Sequence, residues 1–168
     1  MGNANEICTD KTGTLTMNQM TVMEGYFEEG IVTGTMWNNL RNSTSGDLIA
    51  ECVLYNSSAY IETHPDGQKE TKGNVTEQGL VKYLTRSNVD TEGMLAARDS
   101  TLEKLVKLPF SSKRKRSSIA VRHPSQAGMV RVYVKGAPEI CIELCDKIIG
   151  EGGQTSDLSA DKKDEIVN

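Results

Sequence analysis

The chain has 168 residues, a net charge of −4 at pH 7 and 37% apolar residues. This length is typical of one domain, and the mild charge gives no general attraction to nucleic acid. Apolar runs of membrane-spanning length and a secretory signal are both missing from the sequence, so we expect neither a membrane helix nor a leader in it.

The first motif lies near the start, where an apolar pair precedes an acid and a hydroxyl-rich glycine turn. Residues 7–16 read Ile-Cys-Thr-Asp-Lys-Thr-Gly-Thr-Leu-Thr. This order predicts a strand that presents Asp10 at its end and a turn at Gly13, whose backbone N–H groups could approach a phosphate. Aspartate is a workable nucleophile toward phosphoryl groups, because an aspartyl phosphate divides one difficult transfer into two easier ones. The plain alternative is a strand and a turn with an exposed aspartate.

The next segment carries strand and loop signals. Residues 17–22 are predicted to form a strand or a hinge. Met23–Val32 predicts a pair of strands broken at Gly30. The stretch Thr33–Gly46 is rich in Gly, Asn, Ser and Thr, which predicts a loop, with Trp37 as an anchor.

Apolar residues at helical spacing predict five helices, the first capped by Ser45 and the fourth started by Pro138. The predicted helices are Asp47–Tyr60, Thr76–Ser87, Thr91–Asp99, Pro138–Asp146 and Asp157–Asn168.

The remaining segments read as turns and strands. His64–Gly67 is a predicted turn, and we expect the polar stretch after it, up to Lys72, to be mobile. Apolar residues cluster in Ser117–Val121 and alternate in Met129–Val134. Both patterns predict strands, and a short turn joins them. Gly150–Ser156 is predicted to be a loop.

Four cysteines occur, of which only Cys141 and Cys145 are close in sequence. A metal site there would need two more ligands, and no histidine is nearby. We therefore expect small buried thiols in a reducing environment.

Three further stretches carry chemistry only in combination. Alone, Lys72–Glu77 would be a helix cap, Pro109–Arg116 a solvated strand edge, and Val134–Glu139 a strand-to-helix turn. The second stretch contains a basic run, Lys113–Arg116. If this run were a strand, Lys113 and Lys115 would share one face, and Arg114 and Arg116 would lie on the other.

The motifs together resemble a known family. Asp10–Thr16 resembles the phosphorylation motif of the P-type ATPases, ion pumps that pass through an aspartyl phosphate. In their order, the three later stretches resemble the nucleotide-binding domain of the type II subclass. Pro109–Val121, with its short hairpin to Lys135, looks most like the plasma-membrane-type calcium pumps. The resemblance spans Ile7–Ile149.

The resemblance implies roles for the first motif. Asp10 would be the phosphorylated residue, with Lys11 and Thr12 as its catalytic neighbours, and magnesium would lie against Asp10 and Thr12. Related phosphatases of the haloacid dehalogenase superfamily carry an aspartate where this chain has Thr12. Without that acid/base group, hydrolysis of the acyl phosphate is slower, which favours a pump over a phosphatase.

The resemblance also implies an ATP pocket. Glu77 would lie beside the adenine and Phe110 would stack on it, as aromatic faces do with purines. The other pocket residues would be Lys115 and Lys135 near the phosphates, and Gly136 and Ala137 where the nucleotide approaches the backbone.

The implied fold is α+β, with a twisted, mainly antiparallel sheet flanked by helices. Residues 1–21 would be a stub of the phosphorylation domain and hinge, and residues 22–168 a nucleotide-binding domain that is incomplete at its C-terminus. The implied whole is an ATP-driven cation transporter, with calcium as the cation. The chain would be a cytosolic part of an integral protein of the plasma membrane or an internal membrane.

The implied partners are ATP and the pump's phosphorylation, actuator and transmembrane domains, and no nucleic acid. We expect the chain to bind ATP without turnover, because its magnesium site would be incomplete. Two alternatives remain at this point: a haloacid-dehalogenase-like phosphatase and a non-catalytic interaction domain.

Overall fold

The structure is a computed structural model that describes residues 6–27, 30–34, 44–123 and 125–167, with Thr12 and Glu151 described by their backbone alone. The strands are β1 (Glu24–Phe27), β2 (Gly30–Thr33), β3 (Tyr60–Thr63), β4 (Lys69–Lys72), β5 (Lys104–Ser111), β6 (Arg116–Arg122), β7 (Val130–Gly136), β8 (Lys147–Ile149) and β9 (Thr155–Asp157). The helices are α1 (Thr44–Tyr55), α2 (Val75–Arg86), α3 (Thr91–Ser100), α4 (Pro138–Glu143) and α5 (Ala160–Val167), with a π-helical turn at Lys11–Leu15 and a 3-10 turn at Glu151–Gly153.

The strands form separate small sheets, which corrects part of the predicted fold class. The mixed α+β content and the antiparallel pairing are confirmed. However, the described strands make three hairpins, β1–β2, β3–β4 and β8–β9, and one three-stranded sheet in the order β5-β6-β7. The prediction of one continuous twisted sheet is therefore wrong for the described residues.

Helix α1 lies between two apolar clusters. On one side, Ala50 and Leu54 pack with α2 and α3 in a cluster whose other buried members are Ala59, Val81, Tyr83, Leu84 and Leu95. On the other side, Cys52 and Tyr55 pack against the three-stranded sheet, whose buried members are Ile119, Val121 and Tyr133. Because α1 contributes to both clusters, it joins the helical part of the fold to the sheet.

The polypeptide after α1 adds buried polar contacts to this junction. Asn56 is 2% exposed, and its side-chain amide donates to the carbonyls of Ser117 (3.2 Å) and Tyr133 (3.3 Å) on neighbouring strands. Arg98 of α3 is 7% exposed and donates to the carbonyls of Ser57 (3.2 Å) and Ala59 (2.8 Å). These donors satisfy buried carbonyl groups that would otherwise be costly to desolvate.

The alternation in β7 identifies a strand, but its apolar side faces solvent. Val132 and Val134 are 56% and 40% exposed, whereas Tyr133 is 5% exposed and faces α1. Through the strand register, Val132 and Val134 share their face with Ala120 and Ser118.

Three local predictions were wrong. The pair Ile7–Cys8 forms no strand, because none of the described strands pairs with it. The polar stretch up to Lys72 is strand β4, and Gly150–Ser156 contains most of β9; in both, backbone pairing with β3 and β8 stabilises segments that lack apolar alternation.

Several element ends also differ. Helix α1 ends at Tyr55, because the segment after it turns to start β3 at Tyr60. The helix begins at Thr44, so Ser45 is a buried helical residue and not the cap. Helix α4 ends at Glu143, and α5 begins only at Ala160, after Ser159 accepts from the backbone of Lys162. The predicted strand pair around Gly30 and the helices α2 and α3 are confirmed within one or two residues. Trp37 and the middle of its predicted loop lie outside the described residues.

Gly79 lies inside α2, where a glycine lowers helix stability by about 1 kcal/mol relative to alanine. Its close contact with a neighbouring segment explains why a glycine occupies this position. A Cβ atom at this position would lie 2.7 Å from the backbone oxygen of Met20. The glycine therefore lets the segment before β1 pack directly on the helix.

The cysteines are free, but they are not the buried thiols that we expected. Cys8 and Cys145 are exposed, while Cys52 and Cys141 are half-buried. Cys145 donates to the carbonyl of Cys141 at the end of α4.

We predict that Arg98→Met lowers the free energy of unfolding by about 2–3 kcal/mol, because two buried carbonyls lose a charged donor. Urea unfolding monitored by circular dichroism measures the change. Arg86→Met, at an exposed position near the end of α2, is the matched control and should change stability by less than about 0.5 kcal/mol. Equal losses in the two variants would contradict a structural role for the buried guanidinium.

Candidate functional site

The Asp10 segment is exposed and locally ordered by short-range hydrogen bonds. The Asp10 carboxylate accepts from the backbone N–H of Lys11 at 2.7 Å. Gly13 has a φ of 79°, and its N–H donates to the Thr16 hydroxyl at 3.3 Å. The turn at Gly13 is therefore confirmed, although the strand before it is not. The side chain of Thr12 lies outside the described part of the structure.

The strand register brings most of the predicted pocket residues to one end of the three-stranded sheet. Ser111, at the end of β5, pairs with Arg116 at the start of β6, and Arg116 pairs with Gly136 at the end of β7. Phe110 precedes Ser111, Lys115 precedes Arg116, and Lys135 and Ala137 flank Gly136. Phe110 is 62% exposed at this end of the sheet, so its aromatic ring is accessible to a flat ligand.

The basic run is a turn and not a strand, which corrects the predicted facing of its side chains. Ser112–Lys115 connects β5 to β6, and Lys115 has a φ of 54°. Strand alternation therefore does not apply to Lys113 and Lys115. The carbonyl of Lys115 instead accepts from the N–H of Ala137 at 2.9 Å, which holds the turn against the end of β7.

Glu77 connects α2 to this end of the sheet. Asn74 caps α2 by accepting from the N–H groups of Thr76 and Glu77. The Glu77 carboxylate then accepts from the ammonium of Lys135 at 3.0 Å, and from the N–H and hydroxyl of Ser58 at 2.8 and 2.6 Å. The side chains of Glu77 and Lys135 are only 20% and 16% exposed.

These contacts control the charge of the carboxylate. Burial alone would raise the pKa of Glu77, but the two hydrogen bonds from Ser58 and the ammonium of Lys135 outweigh burial and lower the pKa. Burial also raises the pKa of the nearby Cys52 thiol to about 11, although the positive charge of Lys135 acts in the opposite direction. Near neutral pH the Glu77 carboxylate is therefore ionised, and the Cys52 thiol is not.

Gly136 fits a position where no side chain can be accommodated. A Cβ atom there would lie 2.5 Å from the carbonyl oxygen of Lys115 and 2.6 Å from the Cβ of Arg116. The backbone of β7 therefore approaches the turn more closely than any other residue type would allow.

The two cavities described for this fold do not coincide with the predicted pocket. A cleft of about 340 Å³ lies at the start of α1, between Asp47, Glu51 and residues 88–94. A smaller one of about 170 Å³ includes Ser58, Arg98 and Lys107. We place the candidate site at Glu77 and Lys135, because an exposed sheet end that offers a ring face and cations can bind a ligand without an enclosing cavity.

Sequence reasoning missed Ser58 and Asn56. Ser58 donates both of its polar hydrogens to Glu77, and Asn56 links the two strands that bear Ser117 and Tyr133. Neither residue is marked by a local pattern, because their partners lie 19 to 77 positions away in the chain.

The sequence matches the profile of the family described as P-type ATPase, cytoplasmic domain N, over residues 44–168. The chain belongs to this family. The match begins at residue 44, so the Asp10 segment and the proposed boundary between residues 21 and 22 lie outside it.

Curated relatives agree with the family. The chain is 36% identical to the plasma membrane calcium-transporting ATPase mca-1 of Caenorhabditis elegans, over 100% of this chain and 14% of that protein. It is 33% identical to the human plasma membrane calcium-transporting ATPase 4, over 99% of the chain and 14% of that protein. It is 30% identical to a probable plasma membrane-type calcium-transporting ATPase 8 of Oryza sativa, over 100% of the chain and 16% of that protein. The chain therefore spans about one-seventh of the length of these relatives. Within the described ranges, no helix combines the length and apolar character needed to cross a membrane.

We predict that Glu77→Gln destabilises the N domain by about 1–3 kcal/mol at neutral pH, because Lys135 and Ser58 lose a charged acceptor. The pKa of Glu77 is lowered by folding, so its contribution is complete above the pKa of an unfolded glutamate, about 4.3, and is lost as the pH falls through the lower folded value.

Urea unfolding of both proteins between pH 3 and pH 8 measures this effect. The difference between the wild type and Glu77→Gln should be constant above pH 6 and shrink at acid pH. Glu92→Gln, which removes an exposed carboxylate paired with Lys69, is the control and should show a smaller difference throughout. A Glu77 difference that grows at low pH would contradict the assignment.

Proposed function

We propose that this N domain binds ATP at the end of the β5-β6-β7 sheet, as part of an ATP-driven calcium transporter that forms an aspartyl phosphate at Asp10. The observation that carries the proposal is the Glu77–Lys135 ion pair, which joins residues 58 positions apart beside Gly136. Family membership and the calcium-transporting activity of the relatives support the transporter part of the proposal.

The proposed binding mode assigns each group a physical task. The exposed ring of Phe110 stacks on the adenine, which contributes about 1–3 kcal/mol per base. Lys135 and Lys115 act as point charges toward the phosphates. Lys135 is already paired with Glu77, so it shares its donors between the carboxylate and the phosphate. Gly136 and Ala137 would contact the nucleotide through their backbone, and the missing side chain of Gly136 lets the Lys115 turn pack against this end of β7.

In the whole transporter, the γ-phosphoryl group would transfer from ATP to a carboxylate oxygen of Asp10, with ADP as the leaving group. Such transfer depends on positioning and on neutralising the moving phosphoryl group. Lys11 and Thr12 would assist at Asp10. Magnesium requires about six oxygen ligands, and among the described residues no group of three or more acidic, histidine or cysteine ligands includes Asp10. The described residues do not by themselves fit a complete magnesium site.

We predict that Phe110→Ala weakens ATP binding about 5- to 100-fold, because it removes the stacking surface. Titration of the labelled chain with ATP, followed by amide NMR, gives the affinity and the location of binding. Leu108→Ala is the matched control, since Leu108 is an exposed apolar residue on the same strand. Chemical shifts confined to α4, or equal effects of the two substitutions, would rule against this pocket. Lys135→Ala should weaken binding more than Lys113→Ala.

We also predict that Asp10→Asn leaves ATP affinity within about twofold of the wild type, because Asp10 is exposed and its described hydrogen bonds are local to residues 9–11. The isolated chain should not transfer phosphate to itself, since a misplaced nucleophile loses orders of magnitude in rate. Incubation with γ-labelled ATP and magnesium, followed by an acid quench, checks this. Label on the wild type that is absent from Asp10→Asn would show that the chain phosphorylates its own aspartate.

A further inference from the structure

One face of the β3–β4 hairpin carries a cluster of metal-ligating side chains away from the proposed ATP site. Glu62 and Glu70 are directly paired across the two strands. His64 follows Glu62 by two residues, and its backbone N–H donates to the carbonyl of Gln68, so the pairing continues to this position. Residues two apart on a strand share a face, which places all three side chains together.

The ligand atoms of this cluster are already close. The ring Nε2 of His64 lies 3.2 Å from a carboxylate oxygen of Glu70, and one ligand atom from each of Glu62, His64 and Glu70 lies within 4.8 Å of the other two. The carboxylates are exposed and the histidine is half-buried, so a small ion can reach them from solvent. Metal–ligand bonds of about 2.0–2.2 Å need a slightly tighter arrangement, which rotation of the exposed carboxylates supplies.

The charges of the hairpin favour a cation at this point. Two carboxylates directly opposite each other on neighbouring strands repel. Lys72 on the same face partly offsets this repulsion, with its ammonium 2.7 Å from Glu70 and 3.9 Å from Glu62. The cluster thus already attracts one positive group, and a divalent ion placed between the three ligand atoms would replace it with a larger charge.

We propose that Glu62, His64 and Glu70 form a binding site for a divalent transition-metal ion such as zinc. One imidazole nitrogen and two carboxylate oxygens are a ligand set that zinc accepts, with a fourth position left to water. Calcium and magnesium prefer oxygen ligands alone, so the histidine discriminates against both. The bound ion clips β3 to β4 and competes with Lys72 for the carboxylates.

The test is a titration of the 168-residue chain with zinc chloride, monitored by amide and imidazole NMR. We expect shifts in residues 60–72 and in the ring of His64. His64→Ala should weaken zinc binding about tenfold or more, which corresponds to the loss of one of three ligands. His123→Ala removes the other histidine of the chain and should leave zinc affinity within about twofold.

Lys72→Met makes the test independent of any loss of folding, because the variant should bind zinc several-fold more tightly than the wild type. Calcium chloride at the same concentration should produce no shifts in the hairpin. The proposal is overturned if zinc shifts appear only around Cys141 and Cys145, if His64→Ala binds zinc like the wild type, if Lys72→Met binds it less tightly, or if calcium reproduces the zinc shifts.

Discussion

The structure depends on how the chain crosses from α1 to β3 between Asn56 and Ala59. Three of the four residues in this crossing, Asn56, Ser57 and Ala59, are at most 2% exposed, so their polar groups need partners within the protein. Arg98 supplies donors to two of their carbonyls, and the Asn56 amide supplies donors to two strands of the sheet. Because each of these donors bridges separate elements, the relative placement of helices and sheet follows from a few polar contacts as much as from the apolar clusters.

This crossing also determines the geometry of the candidate site. Ser58 lies in the crossing and donates two hydrogen bonds to Glu77, so the carboxylate is fixed from one side by the backbone and from the other by Lys135. The site is therefore held by three segments that are distant in sequence. A carboxylate held in this way stays ionised and holds the Lys135 ammonium in one direction.

The sequence predicted the parts of this arrangement that rest on local patterns. Helical periodicity located α2 and α3, and the stretch Lys72–Glu77 and Pro138 marked helix starts, because capping is a property of a few adjacent residues. The alternation of valines identified β7 but not which side faces inward. Arg131, Tyr133 and Lys135 are the inward residues, since Glu51 and Glu77 offer them partners from helices that the local pattern does not contain.

The hairpin β3–β4 was missed for a related reason. Its strands are polar on both faces, and their stability comes from cross-strand pairing and from ion pairs such as Lys69 with Glu92. The motif resemblance named Glu77 and Lys135, which the fold brings into contact, but Ser58 and Asn56 could not be found without the fold.

Gly79 places helix α2 between two segments that are distant in the chain. Glu77 and Gly79 are two positions apart, so their side-chain directions differ by about 200° around the helix axis. One side of α2 therefore bears against the backbone of Met20, while the opposite side is tied to Lys135 through Glu77. Helix α2, with its 12 residues, therefore connects the segment before β1 to the end of the three-stranded sheet. A side chain at position 79 would push the segment before β1 away from α2, and it would thereby loosen the contact between the polypeptide that leads from Asp10 and the helix that carries Glu77.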